Sequence, residues 1–312
     1  SGMQMPSGPS EYRGGRGRGV FGGGYNPTFT TTLNFVEIAT TGNAKDFGDL
    51  SSSRKFIAAA GDSTRGVFMG GDTPTPQSTI DYVTISSQGG ANNFGDLSFI
   101  RGFGAACNSP TRAVYGGGQG ANPYPVLTDI EYITIATTGD SSKFGDLQLE
   151  RYGLASASSS TRGVFAGGAA PQSRNNQKLI DYIEIETGGT SIKFGELSVG
   201  RHYVSGISNK TRALFAGGVT PTTVNTIDYI TIATTGNAAD FGDLTVAARG
   251  IMMGSATTET RGLLTCGKHD SGYYNVINYV TIASAGNASD FGDTTALVSY
   301  GGAISDTNGG LG

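Results

Sequence analysis

Residues 38–50 read Ile-Ala-Thr-Thr-Gly-Asn-Ala-Lys-Asp-Phe-Gly-Asp-Leu, and residues 232–244 repeat them with Ala239 in place of Lys45. Working outward, the aromatic–Gly–acidic triplet recurs as Phe47-Gly48-Asp49, Phe94-Gly95-Asp96, Phe144-Gly145-Asp146, Phe194-Gly195-Glu196, Phe241-Gly242-Asp243 and Phe291-Gly292-Asp293. The intervals are 47, 50, 50, 47 and 50 residues. A second marker, Arg before a short apolar run and paired glycines, begins at Arg18, Arg65, Arg112, Arg162, Arg212 and Arg261. Two independent markers with one period mean six repeats and no linker, and a period of this size belongs to blades or solenoid units.

Each repeat reads as four short strands. In the third, residues 152–158 are small and apolar, Ser159-Ser160-Thr161 turns, and residues 162–166 are strand-like up to Gly167-Gly168. A polar loop at 169–178 leads to Ile180-Asp181-Tyr182-Ile183-Glu184-Ile185, whose strict alternation marks a half-buried strand. After a turn at Thr187-Gly188-Gly189, Phe194 opens the fourth. With 51 Gly in 312 residues and no 3.6-residue apolar period, long helices are excluded. Four strands per repeat make a propeller blade, so the expected fold is all-β, a six-bladed propeller with antiparallel four-stranded blades.

The ends bear on closure. Arg18-Gly19-Val20-Phe21 has no small-residue strand before it, and Tyr300-Gly301-Gly302-Ala303-Ile304-Ser305 has no partner after it. Pairing the two completes six blades and hides two edges that would otherwise invite aggregation. Residues 1–12 are expected to form an N-terminal arm and residues 13–312 a single propeller domain. The innermost strands are read at 56–60, 103–107, 153–157, 204–208 and 252–256, where Ala, Gly and Ser suit a crowded axis.

These residues resemble the kelch repeat: an apolar strand ending in Gly-Gly (Gly70-Gly71, Gly116-Gly117, Gly167-Gly168, Gly217-Gly218), then a Tyr-bearing strand (Tyr82, Tyr132, Tyr182, Tyr229), then an aromatic residue and an Arg. The Phe of each triplet stands where kelch usually has Trp, and Arg54, Arg101, Arg151, Arg201 and Arg249 follow. The chain departs in having no Trp, in Phe35 for the first Tyr, in Cys266-Gly267 for one Gly-Gly, and in Val298 near the sixth Arg. The phrasing of the repeats is also similar to repeat-rich virion proteins of tailed bacteriophages, marine cyanobacterial ones in particular. That likeness implies a tail, fibre, neck or capsid-surface component in the virion, meeting other virion proteins or a host-surface glycan or protein. An intracellular, cytoplasmic kelch-type scaffold is the alternative, and a propeller-fold carbohydrate-active enzyme a weaker one.

Other motifs give way to blade positions. Asp46-Phe47-Gly48 spells the kinase magnesium motif, but it recurs at 240–242 and 290–292, where a kinase needs one copy with its partners. Arg13-Gly14-Gly15-Arg16-Gly17-Arg18-Gly19 looks like an RNA-binding run, yet its end belongs to the blade marker and the net charge is −4, which disfavours nucleic acid. Pairs such as Asp240 and Asp243 lack the alternating acids of a calcium loop. Only His202 and His269 exist, too few and on different blades for the copper site of kelch-fold oxidases. Cys107 and Cys266 make no disulfide framework and read as small core residues. No apolar run approaches a membrane-spanning length, and nothing at the start reads as a signal peptide. No catalytic residue, metal or cofactor is therefore expected. The repeated arginines are read as structural, with a binding ring as the alternative.

What differs between blades points to recognition. The loops between second and third strands vary in length and content, and they supply the expected binding residues Tyr25, Asn26, Tyr124, Arg174, Asn175, Asn176, Tyr273 and Tyr274. Exposed aromatic and amide groups on a rigid scaffold are what binding loops carry.

Overall fold

The computed structural model describes residues 17–171, 176–254 and 256–307; the arm at 1–12 lies outside them. Every regular element among them is a strand. Blade 2 runs outward through Ala58–Gly61, Arg65–Met69, Thr79–Thr84 and Asn92–Asp96, and blades 3, 4 and 5 repeat that order. Blade 1 consists of Arg18–Gly22, Thr32–Glu37 and Lys45–Asp49, with Gly302–Ser305 as its innermost strand. That strand pairs antiparallel with the first, Gly19 facing Ser305 and Gly22 facing Gly302. Blade 6 is Ala256–Thr257, Arg261–His269, Gly272–Thr281 and Ser289–Asp293, while Met253–Gly254 leans away to pair with blade 1's inner strand. The chain is a six-bladed β-propeller.

The triplet is explained by the seam between blades. In every blade the third and fourth strands slip by one residue just at the Phe, as between Ile80/Asp81 opposite Gly95 and Asn93. The extra residue of this bulge is the buried Phe. The Gly beside it takes a positive φ in blades 1, 2, 5 and 6, and its Cα faces the turn of the neighbouring blade. A methyl group at Gly95 would fall on the carbonyl of Gly139, and one at Gly292 on that of Gly42. The same turns donate back: the amide of Gly89 to Phe47 O at 2.8 Å, of Gly139 to Phe94 O at 2.8 Å, and of Gly42 to Phe291 O at 2.8 Å. The last of these joins blade 1 to blade 6 in the same way as its counterparts.

Arginines tie the seams a second time. Arg18, Arg65, Arg112, Arg162, Arg212 and Arg261 each lie over the aromatic ring of their own third strand, 4.3–4.8 Å from its centroid. Each then donates to a carbonyl of the next blade, Arg65 to Ile135 O at 2.8 Å and Arg261 to Ile38 O at 2.9 Å. Their positive charge is therefore spent between blades, and they form a structural ring.

A different set fills the blade interiors. Arg54, Arg101, Arg151 and Arg201 are wholly buried, paired with Asp81, Glu131, Asp181 and Asp228 of the blade they enter. Three of them also donate to the carbonyls that end the second strand, Arg54 to Gly70 O at 2.8 Å. Burial pulls the guanidinium of Arg54 below its ordinary range, opposed by Asp81. The fifth member of the expected series, Arg249, is one place out of register. Ala248 occupies the slot, as Val298 does in blade 1; both carbonyls accept the amide that Arg54 O and Arg101 O accept elsewhere. Where the Arg is absent the third strand holds Asn278 or Asn34 in place of the acid, because an unpaired buried carboxylate would be far costlier than an amide.

Two predictions follow from these contacts. Gly95 and Gly89 share a φ of +155°, but only at Gly95 would an added methyl group meet another atom. Gly89→Ala is expected to cost about 1 kcal/mol, and Gly95→Ala roughly 3 kcal/mol, in urea unfolding. Separately, Asp181→Asn strands a buried guanidinium and is expected to cost about 3–5 kcal/mol. The double change Arg151→Ala with Asp181→Asn, which copies the pair in blade 6, is expected to recover more than half of that loss in thermal melting.

Candidate functional site

Six equivalent residues, Phe56, Phe103, Gly153, Tyr203, Gly250 and Tyr300, stand just ahead of the innermost strands, all with φ between +56° and +65°. Their backbones form a closed circuit around the axis. Phe103 N donates to Phe56 O (3.2 Å), Gly153 to Phe103 (2.7 Å), Tyr203 to Gly153 (2.6 Å), Gly250 to Tyr203 (3.2 Å), Tyr300 to Gly250 (2.7 Å) and Phe56 to Tyr300 (2.6 Å). The left-handed conformation is why the inner strands begin at Ala58 and Ala105, two residues later than the sequence suggests. It also turns four aromatic rings over the end of the channel. Phe56 stacks on Phe103 with centroids 3.5 Å apart, and Tyr300 lies 4.6 Å from Phe56 and 5.4 Å from Tyr203. Gly153 and Gly250 make room, since a side chain there would meet Tyr203 or Tyr300. Below this cap the axis narrows to a cavity of about 10 Å³ lined by Ala59, Ala106, Cys107, Ser156 and Ser208, at the lower limit for one water. Burial pushes the Cys107 thiol up to about 12.

The residue before each member of that circuit, at 55, 102, 152, 202, 249 and 299, bridges to the loop between second and third strands. Lys55 pairs with Asp72, Tyr152 with Ala169, His202 with Val219, Arg249 with Lys268 and Ser299 with Tyr25. The backbone positions are equivalent, but the side chains are Lys, Gly, Tyr, His, Arg and Ser. The varied chemistry of the chain is thus gathered at one mouth of the propeller.

The mouth has defined electrostatics. Lys55 Nζ lies 4.6, 5.2 and 4.9 Å from the ring centroids of Tyr25, Phe29 and Phe56, a cation–π arrangement. Desolvation raises the Asp72 carboxyl, and Lys55 opposes that rise. Arg249 is 3.3 Å from Asp270 and hydrogen-bonds the Tyr300 side chain, whose hydroxyl is nevertheless pushed up by burial. Tyr203 is likewise raised, by burial and by the neighbouring Tyr300 and Tyr152, so both phenols stay protonated. Asn176 Nδ2 donates to Val219 O at 2.9 Å, which leaves Oδ1 to accept from His202 Nδ1 at 2.6 Å. His202 is therefore the Nδ1–H tautomer, with its acceptor lone pair on Nε2. Burial and then Arg249 lower its pKa to about 4.

The expected binding residues divide. Tyr25 and Tyr273, from blades 1 and 6, come together with centroids 6.4 Å apart. Asn176 holds His202, a supporting role. Asn26 donates to Leu297 O at 2.8 Å and fixes its own loop. Tyr274 packs on His269, off the axis. Tyr124 is 59% exposed with a positive φ and touches no other aromatic ring among the described residues. Arg174 and Asn175 lie outside the described residues. Reading single loops missed Lys55, Tyr152, His202, Tyr203, Arg249 and Tyr300. Laying the six repeats in register would have exposed a column of Phe, Phe, Gly, Tyr, Gly and Tyr two residues after the buried arginine slot.

No family model matches the chain, and no curated protein matches it. The likeness to kelch repeats and to phage virion proteins rests on the quoted residues alone. Among the described residues, no helix is long and apolar enough to cross a membrane.

The depressed His202 carries a sign. Its folded pKa lies below the unfolded value of about 6.5, so the neutral form stabilises the fold above that pH, and this contribution declines as pH falls toward 4. Urea midpoints of the wild type are expected to drop more steeply from pH 7 to pH 4.5 than those of His202→Gln.

Proposed function

We propose that this propeller is a non-enzymatic recognition module of a virion, holding a host-surface glycan or a partner protein at its loop face. The fold itself is a rigid display scaffold of the kind used for interactions, and the face must be argued from the site. The observation that carries the reading is the contrast between the two faces. Turns such as Thr41-Gly42-Asn43 and Thr235-Gly236-Asn237 repeat because they make the seams: Asn43 Oδ1 accepts from Asp293 N, and Asn237 Oδ1 from Glu196 N. At the opposite mouth, equivalent backbone sites carry unlike side chains, which serve no common packing demand.

The particle setting is supported by the phrasing of the repeats and by a low charge content, 46 acidic and basic residues in 312. The cytoplasmic kelch-type scaffold is the second reading, and it uses the same face. Mass spectrometry of purified particles separates them: the polypeptide is expected among the structural proteins. Changing Tyr25 and Tyr273 together to Ala is expected to reduce partner binding or incorporation at least tenfold with the melting temperature kept, because aromatic anchors dominate such energies. Asn43→Ala with Asn237→Ala is expected to lower the melting temperature and leave binding intact. The reverse pattern would move the functional surface to the other face.

A further inference from the structure

The chemistry around the axis narrows the kind of ligand. Among the described residues the charges at the mouth are answered locally, Lys55 by three ring faces and Asp72, Arg249 by Asp270, and Lys268 by the ring of Tyr273. A site for phosphate or an acidic peptide needs unanswered positive charge. An apolar peptide needs a greasy slot; Phe56 is buried, and although Phe29 and Phe103 are half-exposed, most of the half-exposed rings carry a hydroxyl, those of Tyr25, Tyr152, Tyr203, Tyr273 and Tyr300. What the mouth does offer is mixed. There are phenol hydroxyls that both donate and accept, an imidazole lone pair locked by Asn176, guanidinium donors, and ring faces tilted toward one another. Tyr152 lies 6.2 Å from His202 and 6.5 Å from Tyr203, and His202 4.4 Å from Tyr203, so these groups form one continuous patch.

We propose that the axial mouth is a saccharide-binding site, in which Tyr152 supplies a ring face and His202 Nε2, the Tyr203 and Tyr300 hydroxyls and Arg249 exchange hydrogen bonds with sugar hydroxyls. A sugar presents C–H faces that pack on aromatic rings and hydroxyls that each donate and accept, which matches ring faces, phenols and an imidazole beside a guanidinium already paired with Asp270. Tyr203 (+56°) and Tyr300 (+65°) hold the left-handed φ that the backbone circuit imposes on all six of its members, Phe56 and Phe103 included. The repeat needs only a residue able to take that φ, as Gly153 and Gly250 show, so the tyrosines are not demanded by the ring. The proposal rests on the loop-face reading and specifies its ligand.

The test is a printed array of bacterial surface polysaccharides, followed by titration of the best-bound saccharide against the whole chain. Tyr152→Ala and His202→Ala are each expected to weaken binding at least tenfold while the chain stays folded, and Tyr124→Ala, which removes a loop ring that touches no other aromatic ring among the described residues, to leave it within twofold. His202→Asn, which keeps an acceptor, is expected to retain more than Ala does. Binding lost in Tyr124→Ala and kept in the other two would overturn the placement. A protein partner that needs Tyr25 and Tyr273, with no polysaccharide bound, would overturn the saccharide assignment while the loop-face reading stands. A failed mouth caused by misfolding is recognised by melting, and Tyr152→Phe, which keeps the ring, then decides whether the ring face binds.

Discussion

Six backbone amides, each donating to the carbonyl one blade back, set the diameter of this ring. A circuit of that size closes only if every blade delivers its donor at the same distance from the axis, and the residue doing so must adopt a left-handed φ. Each hydrogen bond is worth about 1 kcal/mol net, and the four aromatic members incur roughly that much strain. The circuit therefore adds little stability by itself. Its effect is geometric: it fixes where each inner strand starts, and the strands must then fit side by side in a narrow space.

The small residues of the axis follow from that fit. Alanines lie where inner strands pack on one another, and serines do more than save room. Ser156 Oγ donates to Ala106 O and Ser208 Oγ to Ser158 O, stitching inner strands of adjacent blades. Toward the periphery the same closeness appears as the glycine of each triplet, against which the next blade's turn carbonyl rests. Arginine ties, bulged phenylalanines and glycine seams all hold neighbouring blades at one spacing, and they repeat because the spacing repeats.

The recognition proposed here falls to positions where the spacing makes no demand on the side chain. Around the mouth the backbone is fixed by bridges between the axial segment and the variable loops. Side chains there are free to differ, and they do, from Lys55 to His202 to Arg249. A scaffold that fixes backbone and frees side chains can present a ligand with groups held to a fraction of an ångström, because the ordering cost has been met by folding.

How much of this was legible beforehand depends on the length scale of the cause. Blade number, the four-strand unit, the completion of blade 1 by Gly302–Ser305 and the structural role of the Arg65 series follow from local pattern and period, which the chain carries in plain view. The buried ion pairs were half visible: four arginines stand seven residues after the Phe of their triplet and Arg249 stands eight, so Ala248 occupies the slot, as the exchange of acid for Asn278 across the sheet also reveals. The site was the least legible part. Tyr25 and Tyr273 were found as loop aromatics, yet Phe56 and Phe103 read as strand residues, since sequence does not display a positive φ on an aromatic. That conformation, and the convergence of Tyr152, His202, Tyr203 and Tyr300 from separate blades on one axis, was decided by closure of the ring, a constraint that exists only when all six blades are present.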